Sequence, residues 1–279
     1  MARGLPTHGT VIPSSEYSSS CACSSGTLFS YQLLPNSISL TSKRRRKITG
    51  QTKHPDTTPP TVPVRTPTFL PSRATPKLRA TWLGHACYYV EFPGGLRVLF
   101  DPVFEDCCAP IKAKSLKRFT PPPCEIEDLP IVDLVVISHN HYDHLSYPTI
   151  QRIQKKFPDA HFFVPLGNKK WFEKCGIGKA EELDWWESRD VRFEEGGGKS
   201  VSVSDGEMDN KQQGIQATIG ALPCQHVSAR TPFDKCKTLW ASWSVESGGA
   251  KVWFGGYVLN LSSFTELSHP VFPSRVNAY

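Results

Sequence analysis

Within the run Ser138-His139-Asn140-His141-Tyr142-Asp143-His144-Leu145, three imidazoles and a carboxylate fall inside six consecutive residues. Imidazole nitrogen and carboxylate oxygen together form the donor set of zinc or a similar borderline metal. The preceding residues, Ile131-Val132-Asp133-Leu134-Val135-Val136-Ile137, are almost uninterruptedly aliphatic, which predicts a strand buried on both faces. The donors therefore sit where that strand ends. His139 and His141, two residues apart, point to the same side if the backbone stays extended, whereas Asp143 and His144 lie in the following turn and reach a second position. A polar loop with coincidental histidines is the bland alternative; four donors packed behind a buried strand weigh against it.

The elements that position this cluster follow from the surrounding pattern. Residues 81–92 predict a strand, a kink at Gly84 and a second strand, and Pro93-Gly94-Gly95 turns the chain into a strand over 96–100, closed by Asp101-Pro102. Residues 103–130 are irregular, and Pro121-Pro122-Pro123 forbids helix there. After His144, Ser146 is placed to cap a helix with Pro148 in its first turn, and Ile150, Ile153, Gln154 and Phe157 fall on one face up to Pro158. A buried strand over 161–165, a short helix over 170–175, and strands over 182–186 and 191–195 follow. Residues 196–214 carry little apolar side chain and are expected to form a surface loop. Strands resume at 215–222, 238–245 and 252–254, with His226 just past the first of them. Strands and helices alternating in the first half, and strands dominating the second, give a layered α/β domain with sheets inside and helices outside.

Charge is unevenly placed. Residues 1–80 hold eleven Lys or Arg against Glu16 and Asp56, whereas the remainder holds 21 basic and 24 acidic residues, so the overall +6 belongs to the N-terminal segment. A nucleic-acid-binding fold would carry basic surface on the folded domain itself, so nucleic acid is not an expected partner. Nine cysteines without a C-x-x-C pair are expected as reduced thiols, in an intracellular compartment. No apolar run approaches eighteen residues and no compact apolar core opens the chain, so neither a transmembrane helix nor a secretory signal is expected. Residues 1–78 are Ser-rich, then carry Lys43-Arg44-Arg45-Arg46-Lys47, then turn Thr/Pro-rich, the composition of a disordered arm. The basic pentad reads first as solvated charge, then as a patch for anionic lipid headgroups, then as a nuclear address. A cytoplasmic protein, or one peripheral on a membrane, is expected, with organelle import by the acid-poor arm as the secondary reading.

The pattern His139-x-His141-x-Asp143-His144 after a hydrophobic strand resembles the signature of the metallo-β-lactamase superfamily. Five further blocks resemble, in order, its N-acyl-phosphatidylethanolamine-hydrolysing phospholipase D family over residues 78–256. They are Thr81-Trp82-Leu83-Gly84-His85-Ala86, Asp101-Pro102-Val103-Phe104, Leu183-Asp184-Trp185-Trp186-Glu187, Arg230-Thr231 and Leu239-Trp240-Ala241-Ser242-Trp243-Ser244-Val245. The resemblance implies an αβ/βα sandwich, incomplete at the C-terminus, with its metal site at one edge of two facing sheets. It implies a first zinc on His139, His141 and His226, a second on Asp143 and His144, and Asp143 acting also as the catalytic carboxylate that orients the attacking water. The implied reaction converts N-acyl-phosphatidylethanolamine to an N-acylethanolamine and a phosphatidic acid.

The same resemblance implies an aspartate bridging both metals, in a Gly-Asp-Thr-Gly-Tyr block, and a last histidine. After Trp253-Phe254-Gly255-Gly256 this chain instead reads Tyr257-Val258-Leu259-Asn260, as a splice variant, retained intron or frameshifted gene model would. The expected division is thus a basic arm over 1–78, a partial metallo-β-lactamase-like domain over 79–256 and an unrelated tail over 257–279, holding one zinc or fewer where the family holds two. His85 is expected behind the ligands or as a satisfied interior histidine. Arg230 is expected on a phosphate or in a salt bridge, and Trp185 and Trp186 in the core on a strand, with contact to lipid as the lesser reading. The functional expectation is a zinc-dependent phosphodiesterase of the phospholipase D type, meeting phospholipid at a membrane surface. Its alternatives are a catalytically impaired product keeping part of a zinc site and a metallo-hydrolase of another substrate class on the same fold.

Overall fold

The computed structural model describes residues 63–108, 117–193, 202–204 and 214–256. In the first sheet, β1 (Arg79–Trp82), β2 (Tyr88–Glu91) and β3 (Arg97–Phe100) run antiparallel. Beyond β3 the strands β4 (Leu134–Val136), β5 (His161–Pro165) and β6 (Ala180–Leu183) continue the sheet in parallel. The second sheet is antiparallel throughout. It consists of β7 (Ser188–Phe193), β8 (Ser202–Ser204), β9 (Ile215–Leu222), β10 (Ser242–Ser247) and β11 (Ala250–Phe254), in the order β11-β10-β9-β7-β8. Between β4 and β5 lies helix α1 (Tyr147–Lys156), and between β5 and β6 lies α2 (Lys169–Lys174).

The alternation of side chains along each strand sorts the first sheet into two apolar faces. Leu99, Val135, Phe162 and Val164 pack with Ile150 and Ile153 of α1 and Phe172 of α2. Their neighbours Val98, Phe100, Leu134, Val136 and Phe163 face the other way and meet Val191, Ile219, Trp243 and Val245 of the second sheet. This is why residues 131–137 show no polar alternation: a central parallel strand is covered on both sides. The result is the expected α/β sandwich, with the described helices on the outer face of the first sheet.

α1 begins after Ser146 as expected, but Ser146 does not cap it with its side chain. The Ser146 hydroxyl donates instead to Glu105, which also accepts from Thr149, while the Phe104 amide donates to Thr149 Oγ1. The loop after β3 is thereby bolted to the first turn of α1. Lys156 closes the other end by donating to the carbonyls of Ile126, Glu127 and Leu129.

Three sequence expectations are corrected. Trp185 and Trp186 lie beyond the end of β6 in a turn, where Trp186 has φ +72° and is exposed, so only half-buried Trp185 packs on the core. The segment 196–214, expected as loop, contributes β8, which pairs with β7. The boundary drawn at residue 78 lies inside an anchored stretch: the Phe69 ring packs edge-on against Tyr89 at 5.2 Å, and Arg73 grips Asp133 with two bonds of 2.7 Å. Composition alone marked this stretch as arm, because one aromatic and one arginine were enough to hold it. The remainder of the arm and the tail lie outside the described residues. No helix among the described residues is long and apolar enough to cross a membrane, and no disulfide joins the described cysteines.

Candidate metal centre

The parallel pairing of β3 with β4 places Phe100 opposite Val136, so the two strands end level. Asp101 leaves β3 with φ +40°, a left-handed conformation uncommon for a residue with a side chain, and turns its carboxylate onto the start of the next loop. It accepts from the Ser138 amide (2.7 Å) and hydroxyl, and from His144 Nδ1 (2.7 Å). Ser138 Oγ, with its hydrogen directed at Asp101, accepts from His139 Nδ1 at 2.8 Å. One buried carboxylate thus fixes the tautomers of two histidines, leaving a lone pair on Nε2 of each.

The second sheet supplies the rest. Trp243 Nε1 donates to Ile137 O (2.9 Å) and the Ala241 amide to Ser138 O (2.9 Å), so the head of β10 pins the root of the loop. Gly256, at φ +62° just past β11, comes so close that a Cβ there would lie 2.5 Å from Ser138 Cβ. His226, four residues beyond β9, brings its Nε2 to 2.9 Å from His139 Nε2 and 3.3 Å from His141 Nδ1; the latter two atoms are 2.9 Å apart. Three ring nitrogens in a triangle cannot all satisfy one another with hydrogen bonds, since each neutral imidazole offers one donor and one lone pair. Their spacing is near the ~3.3 Å between donors that bind a tetrahedral zinc at about 2.0–2.1 Å. The donor set fits a borderline divalent metal.

Burial and the crowding of imidazoles push His139 and His226 down, His226 to about 4, and burial lowers His141 as well. The trio is therefore neutral near pH 7, the state in which imidazole ligates. His144 moves the opposite way, because the Asp101 carboxylate outweighs its burial. For Asp143, burial alone would raise the carboxyl; the hydrogen bond from His85 and the nearby His144 hold it well below the usual carboxylate range.

Every residue expected at the site is brought to this one edge. His139, His141 and His226 form one group, while Asp143 and His144 group with His85, which lies 3.0 Å from Asp143. Arg230 is neither open to a phosphate through Nη1 nor held by an ion pair there. That nitrogen donates to the carbonyls of Asn140 (2.9 Å) and Leu145 (2.8 Å), and the guanidinium stacks on Tyr142 at 4.1 Å, so Arg230 fastens the ligand loop to the segment that bears His226. Asp101 and Ser138 were missed as site residues. The detectable signal for Asp101 was a carboxylate ending a strand; its use depended on knowing that β3 lies beside β4.

A family model described as the beta-lactamase superfamily domain matches residues 96–260. The chain belongs to the metallo-β-lactamase superfamily. Over 201 residues it is 35% identical to the N-acyl-phosphatidylethanolamine-hydrolyzing phospholipase D 1 of Caenorhabditis elegans, covering 70% of this chain and 51% of that protein. It is 32% identical over 185 residues to the mitochondrial N-acyl-phosphatidylethanolamine-hydrolyzing phospholipase D of Saccharomyces cerevisiae, covering 65% of this chain and 35% of that one. The chain thus spans about half, or less, of the length of these relatives. Among solved structures, a putative metal-dependent hydrolase from Parabacteroides distasonis matches with TM-score 0.37 and 17% identity, over 65% of this chain and 61% of that one.

Ser138, His139 and Asp101 are near enough to suggest a nucleophilic triad, but Ser138 is buried, donates its hydrogen bond to Asp101 and accepts from His139 Nδ1, so no imidazole is placed as its base. Nor are the neighbouring thiols activated: burial pushes Cys108 up to about 11 and Cys224 up to about 12. What remains at this edge of the metallo-β-lactamase sandwich is a set of metal donors.

Proposed function

We propose that this domain is a zinc-dependent phosphodiesterase of the phospholipase D type, cleaving N-acyl-phosphatidylethanolamine to an N-acylethanolamine and a phosphatidic acid. The observation that carries the reading is the convergence of His139, His141 and His226 with Asp143 alongside, in a chain whose relatives bear that activity in their names. His139, His141 and His226 would hold the metal. A zinc bound there supplies Lewis acidity and a water of lowered pKa. The protein's part is to keep Asp143 ionised, so that it can accept the proton of a water aimed at phosphorus, and to hold the ligand loop rigid through Asp101 and Arg230. Water adds at phosphorus, the bond to the ethanolamine oxygen breaks, and that oxygen leaves with a proton.

A lipid substrate agrees with two exposed rings on the segments that bear the ligands. Tyr147 follows the metal loop at 52% exposure, and Phe233 follows His226 at 84%. Such rings suit contact with a membrane surface. The test is hydrolysis of N-acyl-phosphatidylethanolamine in mixed micelles by the full chain. N-acylethanolamine release that a chelator abolishes and zinc restores is expected; a zinc-loaded, folded chain that releases none would refute the substrate assignment.

A further inference from the structure

Among the described residues Arg118 is a half-buried cation without a carboxylate partner, and it lies beside the metal centre. We propose that its guanidinium receives the phosphoryl oxygens of a phospholipid headgroup and so positions the lipid at the metal edge. The inference rests on the reading of the substrate as a phospholipid.

The backbone at Arg118 is fixed: Cys107 and Lys117 pair across an antiparallel bridge, and the Arg118 amide donates to Asp106 O at 2.8 Å. The Asp106 carboxylate is taken by Lys117 Nζ at 2.8 Å. Arg118 Nη1 donates to Val103 O at 3.2 Å, and the other donors of the guanidinium have no partner among the described residues. Gly84 makes room for this side chain. Nη2 comes so close to the turn between β1 and β2 that a Cβ on Gly84, at φ +95°, would lie 2.5 Å from it. The next residue in that turn, His85, reaches Asp143 at 3.0 Å. The Cys108 thiol feels the Arg118 guanidinium and the Asp143 carboxylate alike. These contacts put the guanidinium at the same edge as the histidine trio.

Arg230, the arginine expected on a phosphate, spends Nη1 on the carbonyls of Asn140 and Leu145, whereas Arg118 keeps a planar fork free for an anion. The surroundings favour a lipid over free phosphate. Trp82 and Tyr88, opposite each other in the β1–β2 register, and Phe119, next to Arg118, are exposed aromatic rings. The Trp82 indole is held in place by its bond to His85 O at 2.9 Å. Such rings accommodate glycerol and acyl carbons beside a headgroup whose charge the arginine neutralises.

The test is calorimetric titration of the zinc-loaded full chain with dihexanoyl phosphatidate and, in parallel, with inorganic phosphate. Arg118→Gln is expected to weaken phosphatidate binding about tenfold and to flatten its dependence on sodium chloride, with zinc content and the urea midpoint unchanged. Arg118→Lys, which keeps the charge but not the fork, is expected to fall between. It decides the matter if the glutamine variant does not fold: binding equal to wild type then overturns the proposal. A wild-type chain that does not bind phosphatidate, or a folded Arg118→Gln chain that binds it as tightly as wild type, also overturns it. So does a loss confined to inorganic phosphate, which would mark a free-anion site only. Failure of the phospholipase reading would show separately, as a zinc-loaded chain that binds phosphatidate through Arg118 but releases no N-acylethanolamine.

Discussion

At the beginning of β3 and β4, Asp133 accepts both Nη atoms of Arg73 at 2.7 Å and the Arg97 amide at 2.8 Å. Beside it, fully buried Glu91 meets Arg79 at 3.0 Å and lies 3.7 Å from Arg97 Nε. At the far end of the same two strands, Asp101 accepts from Ser138 and His144, His139 donates to Ser138, and the imidazoles of His139, His141 and His226 turn nitrogens toward one another. The first end sets guanidinium against carboxylate, so its charges are balanced within the protein. The second gathers three imidazole nitrogens that cannot all satisfy one another by hydrogen bonds. Buried polar groups at both ends of one sheet thus divide into those that fasten the fold and those that wait for a ligand, and the sign of what faces each carboxylate tells them apart.

The largest effect expected from breaking this contrast is at the fastening end. Asp133→Ala would strand Arg73 and the Arg97 amide, at a cost on the order of 3–5 kcal/mol for breaking a largely buried pair. Urea unfolding should show that loss, while the fraction still folded keeps its metal stoichiometry; an unchanged unfolding midpoint would remove Asp133 from the fastening role. At the metal end the order reverses. Asp101→Asn keeps one acceptor oxygen for three donors, Ser138 N, Ser138 Oγ and His144 Nδ1, and loses the charge, so metal affinity should fall about 10–100-fold, the usual cost of losing an outer-sphere partner. Zinc competition assays on the folded variant measure it, and wild-type affinity would mean that Asp101 does not set the tautomers.

The smallest effect is that of mild acid. Because His226 is depressed to about 4, and His139 and His141 are lowered too, protons compete with metal only below the ordinary histidine range. Affinity at the trio should therefore hold through the ordinary histidine range and be lost as pH drops toward 4. Zinc release centred near pH 6.5 would show that the trio has ordinary histidine basicity.

The sequence carried the metal end better than the fastening end. His139 to His144 could be read because their types are dense and the strand before them is apolar throughout. His226 was placed by the resemblance, and strands such as β5 and β9 coincide with the residues expected. Asp101 was hidden because its importance lies in β3 and β4 being parallel neighbours, a pairing that no local pattern encodes. His85 gave its identity but not its direction, which depends on φ +51° in a tight turn. Phe69 and Arg73 looked like arm because composition averages over a window, whereas anchoring needs only two side chains with partners elsewhere in the chain.

The claim on which the rest depends is that His139, His141 and His226, contributed by two different sheets, share one tightly bound metal ion. Metal analysis of the purified full chain and of His226→Ala, after exhaustive dialysis against a weak chelator, tests it most directly. The wild-type chain should retain one tightly held zinc and the folded variant none; a folded His226→Ala chain with undiminished tight zinc would contradict the assignment.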